Sequence, residues 1–389
     1  MKLLVISQQI GASAPGIVFE RLLSELTKHA SIEVDIVTCE YNPSLDIKAN
    51  NVQVISYPTL HYRVSNFMNS IFWRDWISEI LKYRIRLKHN DYDVILSLCS
   101  SGHMFGLVSG IYLRGKIGCK LACYLVDAVP APIGWSKNDR LYRSTLKMIG
   151  SLLSKVDMIA SVNQEMLNYQ LKTFKHKEGL ISTVLLPSSV VNKVSNIPYT
   201  HEGVYRFLYT GNIYGLRSSK YIIKAFSLLL KEREDIELYF VGNTGEDVRN
   251  ELHKYGEKVR KHVVVYPRVS DLKPFYSKAS ALIDIDADID NDVFLSSKMS
   301  SYLTIDRPII CETGLNSPSR NLFKNLSSII QCNHDPEELY NAMRFIIDTY
   351  RKLDYTDRNH ILCVQSSVNV AKLLLENLRD MINDKISIS

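Results

Sequence analysis

Two cationic side chains in the second half of the sequence stand beside glycines and serines that follow strand-like runs. The first is Arg217, six residues after Gly211, which ends the apolar run YRFLYTG and precedes a helical run through Ala225 and Phe226. A strand that ends in glycine before a helix presents backbone N–H groups and a positive dipole end to an anion. Gly211 would let a ligand approach the main chain, and the Arg217 guanidinium would form a planar fork for phosphate oxygens. A plain βα turn with a solvent-exposed arginine explains this segment equally well.

The second cation is Lys298, within the run from Phe294 to Leu303. The pattern predicts a serine-led helix with the lysine in its first turn, before the buried strand that follows Pro308. A cation in that turn opposes the helix macrodipole, so it would be stabilised by an anionic partner. The other interpretation is a lysine that extends into solvent from a surface helix.

Acidic residues alternate along the segment between these two cations. They are Asp284, Asp286, Asp288, Asp290 and Asp292. The segment does not match a calcium-binding EF-hand loop, which needs glycine at its sixth position and glutamate at its twelfth. Ile289 and Leu295 occupy those positions. Period-two aspartates that leave a strand predict a solvated loop at the carboxyl end of a sheet. Cys119 and Cys123 lack a second ligand pair, so no metal site is expected.

Two positions in the first half follow strand-like runs in the same way. Gly16 lies in a turn between the first apolar run and a helical run, at the edge where ligands bind in doubly wound sheets. Asp127 follows the run KLACYLV, and it would either face a ligand at that edge or cap the next turn. His103 follows another strand and two serines.

The order of apolar runs predicts an α/β protein with two parallel sheets. Strand-like and helical runs alternate as far as Phe174, and a second series begins at YRFLYTG. The polar segment from Pro187 to Gly203 has no periodicity and predicts a linker. Apolar residues at helical spacing from Ser366 to Asp384 predict one terminal amphipathic helix. We therefore expect domains at residues 1–195 and 196–365, with 366–389 returning to the first.

Composition is that of an ordinary globular chain, with 46% apolar and 23% charged residues among 389. The run MKLLVIS ends at Gln8, so it predicts a first strand rather than a signal peptide. No apolar run is long enough to span a bilayer. The seven scattered cysteines indicate reduced core residues. These features predict a cytoplasmic protein.

The second half resembles the donor domain of GT-B glycosyltransferases, in particular the retaining family four. In that family a glycine is followed six residues later by Lys or Arg and then by Ala-Phe, as in Gly211, Arg217 and Ala225-Phe226. A subset carries Pro-Ser-Lys, then Glu-Tyr-Leu and a basic residue before proline. Ser296-Ser297-Lys298, Ser301-Tyr302-Leu303 and Arg307-Pro308 occupy those places.

The resemblance implies a GT-B fold of two facing Rossmann-like domains with the active site in the cleft between them. It implies that Arg217 and Lys298 hold the diphosphate of a nucleotide sugar without a metal or other cofactor, and that they stabilise the leaving group. The base and ribose would rest near residues 264–269. The implied donor-binding residues are Gly16, Gly211, Asn212, Arg217, Arg268, Asp292, Ser297, Lys298 and Tyr302. Asp127 would join the two cations at the catalytic centre and, with His103, contact the acceptor.

One departure from the family leaves the reaction open. The family has two glutamates eight positions apart, where this chain has Val293 and Ser301. The implied activity is metal-independent, retaining transfer to a glycan or polyprenyl-pyrophosphate-linked saccharide in bacterial surface polysaccharide synthesis. The alternatives are a catalytically silent nucleotide-sugar-binding subunit and another GT-B enzyme such as a sugar-nucleotide epimerase. A nicotinamide-dependent dehydrogenase is disfavoured, since no strand leads into Gly-x-Gly-x-x-Gly.

Positive charge is concentrated in the first half of the chain. Residues 1–190 hold 21 Lys and Arg against 15 Asp and Glu, whereas the remainder is balanced. The clusters are Arg63, Arg74, Lys82, Arg84, Arg86 and Lys88, with Phe72, Trp73 and Trp76 among them, and Arg140, Arg143 and Lys147. Aromatic residues among cations suit an anionic membrane surface at the inner face of the cytoplasmic membrane. A solvated basic face whose aromatic side chains point into the core explains these clusters equally well. We expect no nucleic acid partner.

Overall fold

A computed structural model describes residues 1–56, 62–101, 104–349 and 353–383. Its backbone divides into two compact units, Met1–Val190 with Val364–Ser389 and Val191–Cys363. The segment at residues 187–203, expected as a linker, contains no regular helix or strand. None of the described helices is long and apolar enough to cross a membrane.

The first unit contains a parallel sheet of seven strands in the order β3-β2-β1-β4-β5-β6-β7. The strands are β1 Lys2–Gly11, β2 Glu33–Asn42, β3 Asn51–Val54, β4 Val94–Cys99, β5 Lys120–Leu125, β6 Met158–Ser161 and β7 Ile181–Val184. The run expected as a first strand is β1, which lies inside the sheet between β2 and β4. Its apolar side chains are buried because helices cover both faces of such a sheet.

Helices connect these strands and complete the unit. They are α1 Ala14–Leu26, α2 Tyr62–Phe72, α3 Trp76–Leu81, α4 Phe105–Ile117, α5 Arg140–Leu153 and α6 Gln164–Thr173. Ser13 caps α1 by accepting a hydrogen bond from Gly16 N at 3.1 Å, and Pro15 fits the first turn. The terminal amphipathic run forms a helix that packs against α1.

The second unit contains a parallel sheet of six strands in the order β10-β9-β8-β11-β12-β13. The strands are β8 Tyr205–Thr210, β9 Ile236–Val241, β10 Val263–Tyr266, β11 Ala281–Ile285, β12 Ile309–Glu312 and β13 Ile329–Cys332. Its helices are α7 Lys220–Leu229, α8 Gly245–Leu252, α9 Glu257–His262, α10 Lys273–Lys278, α11 Met299–Tyr302, α12 Pro318–Phe323, α13 Pro336–Thr349 and α14 Asn359–Val364. The terminal helix that packs against α1 of the first unit is α15 Ser367–Asn383. Ala225 and Phe226 are fully buried on α7.

All strands of the second sheet run parallel, so their carboxyl ends lie at one edge. The polar and charged side chains that follow β8, β9, β11, β12 and β13 are therefore brought together there. Of the seven cysteines, all of which are free, six are buried as expected. Cys363 is the exception and is exposed.

Candidate functional site

Lys298 lies at this edge and is held by a buried carboxylate. Its Nζ donates hydrogen bonds to Asp284 Oδ1 at 2.8 Å and to Ser296 Oγ at 3.1 Å. Burial lowers the pKa of Lys298, but the charge of Asp284 raises it, and the net shift is upward. Lys298 is the N-cap of the four-residue helix α11, so the expected place in a first helical turn was wrong. The anionic partner expected from the sequence is provided within the protein by Asp284.

Arg217 is also largely buried, so the interpretation as a solvent-exposed arginine was wrong. Its side chain is 10% exposed, and Nη2 lies 3.8 Å from Asp286 Oδ1. The guanidinium carbon is 5.4 Å from the centre of the Tyr214 ring. Burial lowers the pKa of Arg217, Asp286 raises it, and the net shift is upward. The guanidinium is thus fully charged at the end of the loop after β8.

Both cations lie near the end of β8, where the strand leads into the glycine turn. A Cβ at Gly211 would lie 3.4 Å from Lys298 Cε, and Lys298 Nζ is 4.8 Å from the centre of the Tyr209 ring. The positive charges of both Lys298 and Arg217 act on Tyr209. Gly211 has a φ of 113°, a conformation that side chains with a Cβ rarely adopt. This arrangement places two permanent positive charges beside open main chain, which suits an anion with several oxygens.

The aspartate run does not form the solvated loop that its spacing predicts. Asp284 and Asp286 are fully buried and Asp292 is nearly so, whereas Asp288 and Asp290 are exposed. The first two face the cations because β11 carries them into the sheet edge. Burial and the neighbouring charge of Asp284 raise the pKa of Asp286 to about 7. Across the described ranges, no group of three or more acidic, histidine or cysteine side chains is arranged to hold a metal ion.

A cavity of about 650 Å³ opens beside the glycine turn. It is lined by Ile213, Gly242, Asn243, Thr244, Gly245, Glu246, Asp247, Arg249, Val265, Tyr266 and Pro267. Its volume is within the range of sites that bind small organic ligands. The loop after β9 was not among the sites predicted from the sequence, although the run ELYFVG ends in glycine before a helix as YRFLYTG does. Arg268 follows the lining residue Pro267 and is exposed.

A second buried ion pair at this edge was also missed. His334 Nδ1 lies 2.8 Å from Glu312 Oε1, and Nε2 lies 3.0 Å from the carbonyl oxygen of Ala287. Burial raises the pKa of Glu312. The pKa of His334 is lowered by burial and raised by Glu312, with a net upward shift. Glu312 is the last residue of β12 and His334 follows β13, so no local spacing relates them.

The other second-unit residues implied by the family resemblance differ in exposure. Tyr302 is fully buried, and Thr210 N donates to its hydroxyl at 2.8 Å, so it supports the strand end from behind and does not face a ligand. Asp292 Oδ1 accepts bonds from the main-chain N–H groups of residues 293 and 294 and shapes that turn. Asn212 and Ser297 are exposed.

Asp127 and Gly16 lie at the carboxyl edge of the seven-stranded sheet, after β5 and β1. Asp127 Oδ2 accepts bonds from Ser101 N at 2.9 Å and Ser101 Oγ at 3.1 Å, so it contacts the loop after β4 and not the turn that follows it in the chain. Gly16 leaves no room for a side chain, since a Cβ would lie 2.2 Å from the carbonyl oxygen of Gly11. His103 lies outside the described residues.

Comparison with solved structures identifies the architecture. The chain superimposes on Anabaena HepE in complex with UDP-glucose with a TM-score of 0.67 and 10% identity, over 98% of this chain and 100% of HepE. WaaG, a glycosyltransferase involved in lipopolysaccharide biosynthesis, gives 0.64 at 12% identity over 97% and 99%. The chain has the GT-B fold. A neighbour from another class of enzyme, a putative UDP-N-acetylglucosamine 2-epimerase from Listeria monocytogenes, gives a TM-score of 0.54 at 13% identity, over 98% of this chain and 97% of the epimerase. No protein-family model and no curated protein matches the sequence.

Proposed function

We propose that this protein is a glycosyltransferase that takes a sugar from a nucleotide-diphosphate sugar. The observation that carries the proposal is the pair Arg217 and Lys298 near the end of β8, with Lys298 beside Gly211 and the cavity lined by Gly242 next to that turn. The cation pair suits a diphosphate and the cavity suits a nucleoside. A ligand of this kind needs both sites at adjoining positions on one sheet edge.

The chemistry we assign to the two cations is stabilisation of the leaving nucleotide diphosphate. Negative charge grows on that group as the glycosidic bond breaks, and preformed positive charges lower the barrier most where charge develops. Lys298 uses two of its three N–H groups on Asp284 and Ser296, which leaves one for a phosphate oxygen. We propose that transfer needs no metal and retains the anomeric configuration. We propose Asp127 as the first-unit residue that faces the sugar or acceptor.

The acceptor we propose is a glycan or a polyprenyl-pyrophosphate-linked saccharide, in the synthesis of a bacterial surface polysaccharide. Two of the neighbours support this direction, because WaaG and the galactosyltransferase WaaB are named for lipopolysaccharide synthesis. HepE holds UDP-glucose, which supports a nucleotide sugar as donor.

We propose that the first unit binds the inner face of the cytoplasmic membrane peripherally. Exposed aromatic and basic side chains support this: Phe72 and Trp73 are each about half exposed, and Lys147 Nζ lies 4.1 Å from the Trp73 ring centre. Phe72 is the last residue of α2, Trp73 follows it, and Lys147 is on α5; the two helices pack against each other. An apolar and cationic surface of this kind favours anionic lipid headgroups.

The test of the proposed function is sugar transfer from labelled donors. Candidate donors are first ranked by the increase in melting temperature, since a ligand of the folded state stabilises it. The selected donor is then incubated with lipid-linked saccharides, and the product is analysed for new linkage and anomeric configuration. Binding without transfer to any acceptor would favour the silent subunit, and conversion of the donor alone would favour an epimerase, whose fold is shared.

A further inference from the structure

Asp286 is a buried carboxylate that lacks the bonds its neighbour has. Asp284 accepts hydrogen bonds from Ser296 Oγ at 2.9 Å and from Lys298. Asp286 is equally inaccessible, yet in the described part of the chain neither of its oxygens accepts a hydrogen bond. Its nearest cation is Arg217, with Nη2 at 3.8 Å from Oδ1, which is beyond hydrogen-bonding distance.

Few interactions stabilise the ionised form of a carboxylate in this environment. Burial without hydrogen bonds disfavours the ionised group, and a cation at this distance offsets only part of that cost. The cation itself, Arg217, lies at the turn that the proposed function assigns to the diphosphate. Asp286 and the diphosphate therefore compete for the same guanidinium.

We propose that Asp286 is the resting counter-ion of Arg217, that the donor diphosphate displaces it, and that Asp286 then takes up one proton from solvent. The proposal rests on the proposed function only in assigning a diphosphate to Arg217. Asp286 is on this basis a positioning residue, because it acts through Arg217. The proton goes to one carboxylate oxygen, and the guanidinium remains charged throughout.

The charges around Asp286 determine the direction in which donor binding shifts its pKa. The ionisable groups that face it are Asp284, Asp292, Arg217, Lys298 and Cys311. Burial and Asp284 raise the pKa of Asp286 to about 7, while the two cations oppose that shift. The Cys311 thiol stays neutral, since burial raises its pKa well above the ordinary value. A bound diphosphate adds negative charge and engages Arg217, so it moves the pKa of Asp286 further upward.

Donor binding is therefore linked to pH. Below the free-state pKa of Asp286, near 7, the carboxylate is already protonated and binding takes up no proton. Above it, each complex formed takes up close to one proton, and the affinity falls by about tenfold per pH unit until the pKa of the complex is reached. Neutral and slightly acidic conditions favour the occupied site.

The experiment is calorimetric titration with UDP-glucose, GDP-mannose and ADP-glucose, whose diphosphate diesters carry no group that titrates near neutral pH. The binding enthalpy is measured at pH 8 in PIPES, HEPES and Tris. Its dependence on the ionisation enthalpy of the buffer gives the number of protons taken up. We expect close to one for the wild type and none for Asp286→Asn, whose affinity also becomes independent of pH. Asp288→Asn, which removes an exposed carboxylate of the same segment, should behave as the wild type.

The outcomes separate this inference from the proposed function. Binding with no proton uptake overturns the inference alone, and so does uptake that persists in Asp286→Asn. Failure of every donor to bind at pH 6 overturns both, whereas proton-linked binding without sugar transfer contradicts only the proposed function. If Asp286→Asn does not fold, the infrared difference spectrum of the wild type decides. The C=O band of a protonated carboxylic acid should appear when donor is added at pH 8, and its absence would overturn the proposal.

Discussion

Gly242 and Gly211 are in main-chain contact: a Cβ at Gly242 would lie 2.2 Å from the carbonyl oxygen of Gly211. The two glycines end β9 and β8, and each has a positive φ, 131° at Gly242 and 113° at Gly211. The contact joins the loop that lines the cavity to the turn beside Lys298. Together these loops form one continuous surface at the carboxyl edge of the second sheet.

Replacement of Gly242 by alanine should disturb both loops at once. The new Cβ would collide with main chain, which cannot move aside as a flexible side chain can, and φ is unfavourable as well. We expect a loss of about 2 kcal/mol or more in the free energy of unfolding, measured by urea denaturation. Gly256→Ala is the matched control, since a Cβ there meets nothing within 4 Å. Equal stability of the two variants would contradict the packing of these loops.

Arg217→Ala and Lys298→Ala should weaken binding of a nucleotide diphosphate by about 10- to 100-fold each, because each removes a charged hydrogen-bond donor. Binding of the corresponding nucleoside should change much less. Calorimetry with both ligands measures the difference, and Lys231→Ala, an exposed lysine on the same unit, is the control. Equal losses for nucleoside and diphosphate would argue against a diphosphate site between the two cations.

Lys298→Met should also lower stability, for a reason unrelated to ligand binding. It leaves the fully buried Asp284 without its cation, and removal of one partner of a buried ion pair costs about 3 to 5 kcal/mol. The double variant Lys298→Met with Asp284→Asn should recover much of that loss, since the unpaired charge is gone. Urea denaturation of the single and double variants measures it. No recovery would mean that the two side chains are not energetically coupled.

The pair His334 and Glu312 should make stability depend on pH. The folded-state pKa of His334 is above its ordinary value of 6.5, so its contribution is fully present below pH 6.5 and is lost as pH rises through the raised value. The pKa of Glu312 is also raised, which acts in the same direction. The stability difference between wild type and His334→Gln should therefore shrink from pH 6 to pH 9. His360→Gln, at an exposed position, should show no such trend in urea denaturation.

Binding to anionic liposomes should require the basic residues near α3. Arg84, Arg86 and Lys88 are exposed, and their replacement by glutamine should reduce co-sedimentation several-fold. Binding by the wild type should weaken with added salt, as screening of surface charges requires. The control replaces Lys254, Lys258 and Lys261, which are exposed on the second unit. Salt-independent pelleting, or none, would count against the membrane proposal.

The sequence predicted the interior strands and the main helices because these have strong local signals. Runs such as LLVI in β1 and LACYL in β5 are continuously apolar, as strands buried on both faces must be. It missed the strands β3 and β7, which lie at the two edges of the first sheet. Their side chains are mostly half-buried or exposed, so they carry no continuous apolar run. The helices α8 and α9 are short, and their apolar faces span too few turns to give a clear period.

By itself, the sequence determined the α/β class, the succession of the interior strands along the chain and the positions of Gly211, Arg217 and Lys298 near strand ends. Tertiary structure decided which charges meet. The alternation of aspartates from Asp284 to Asp292 predicts a solvated loop. Spacing along the chain carries no information about which distant segments pack against these side chains. The sheet buries the first two aspartates against Arg217 and Lys298, which come from other segments. The contacts of Gly242 with Gly211 and of Glu312 with His334 likewise join residues about 20 to 30 positions apart, so no local pattern could specify them.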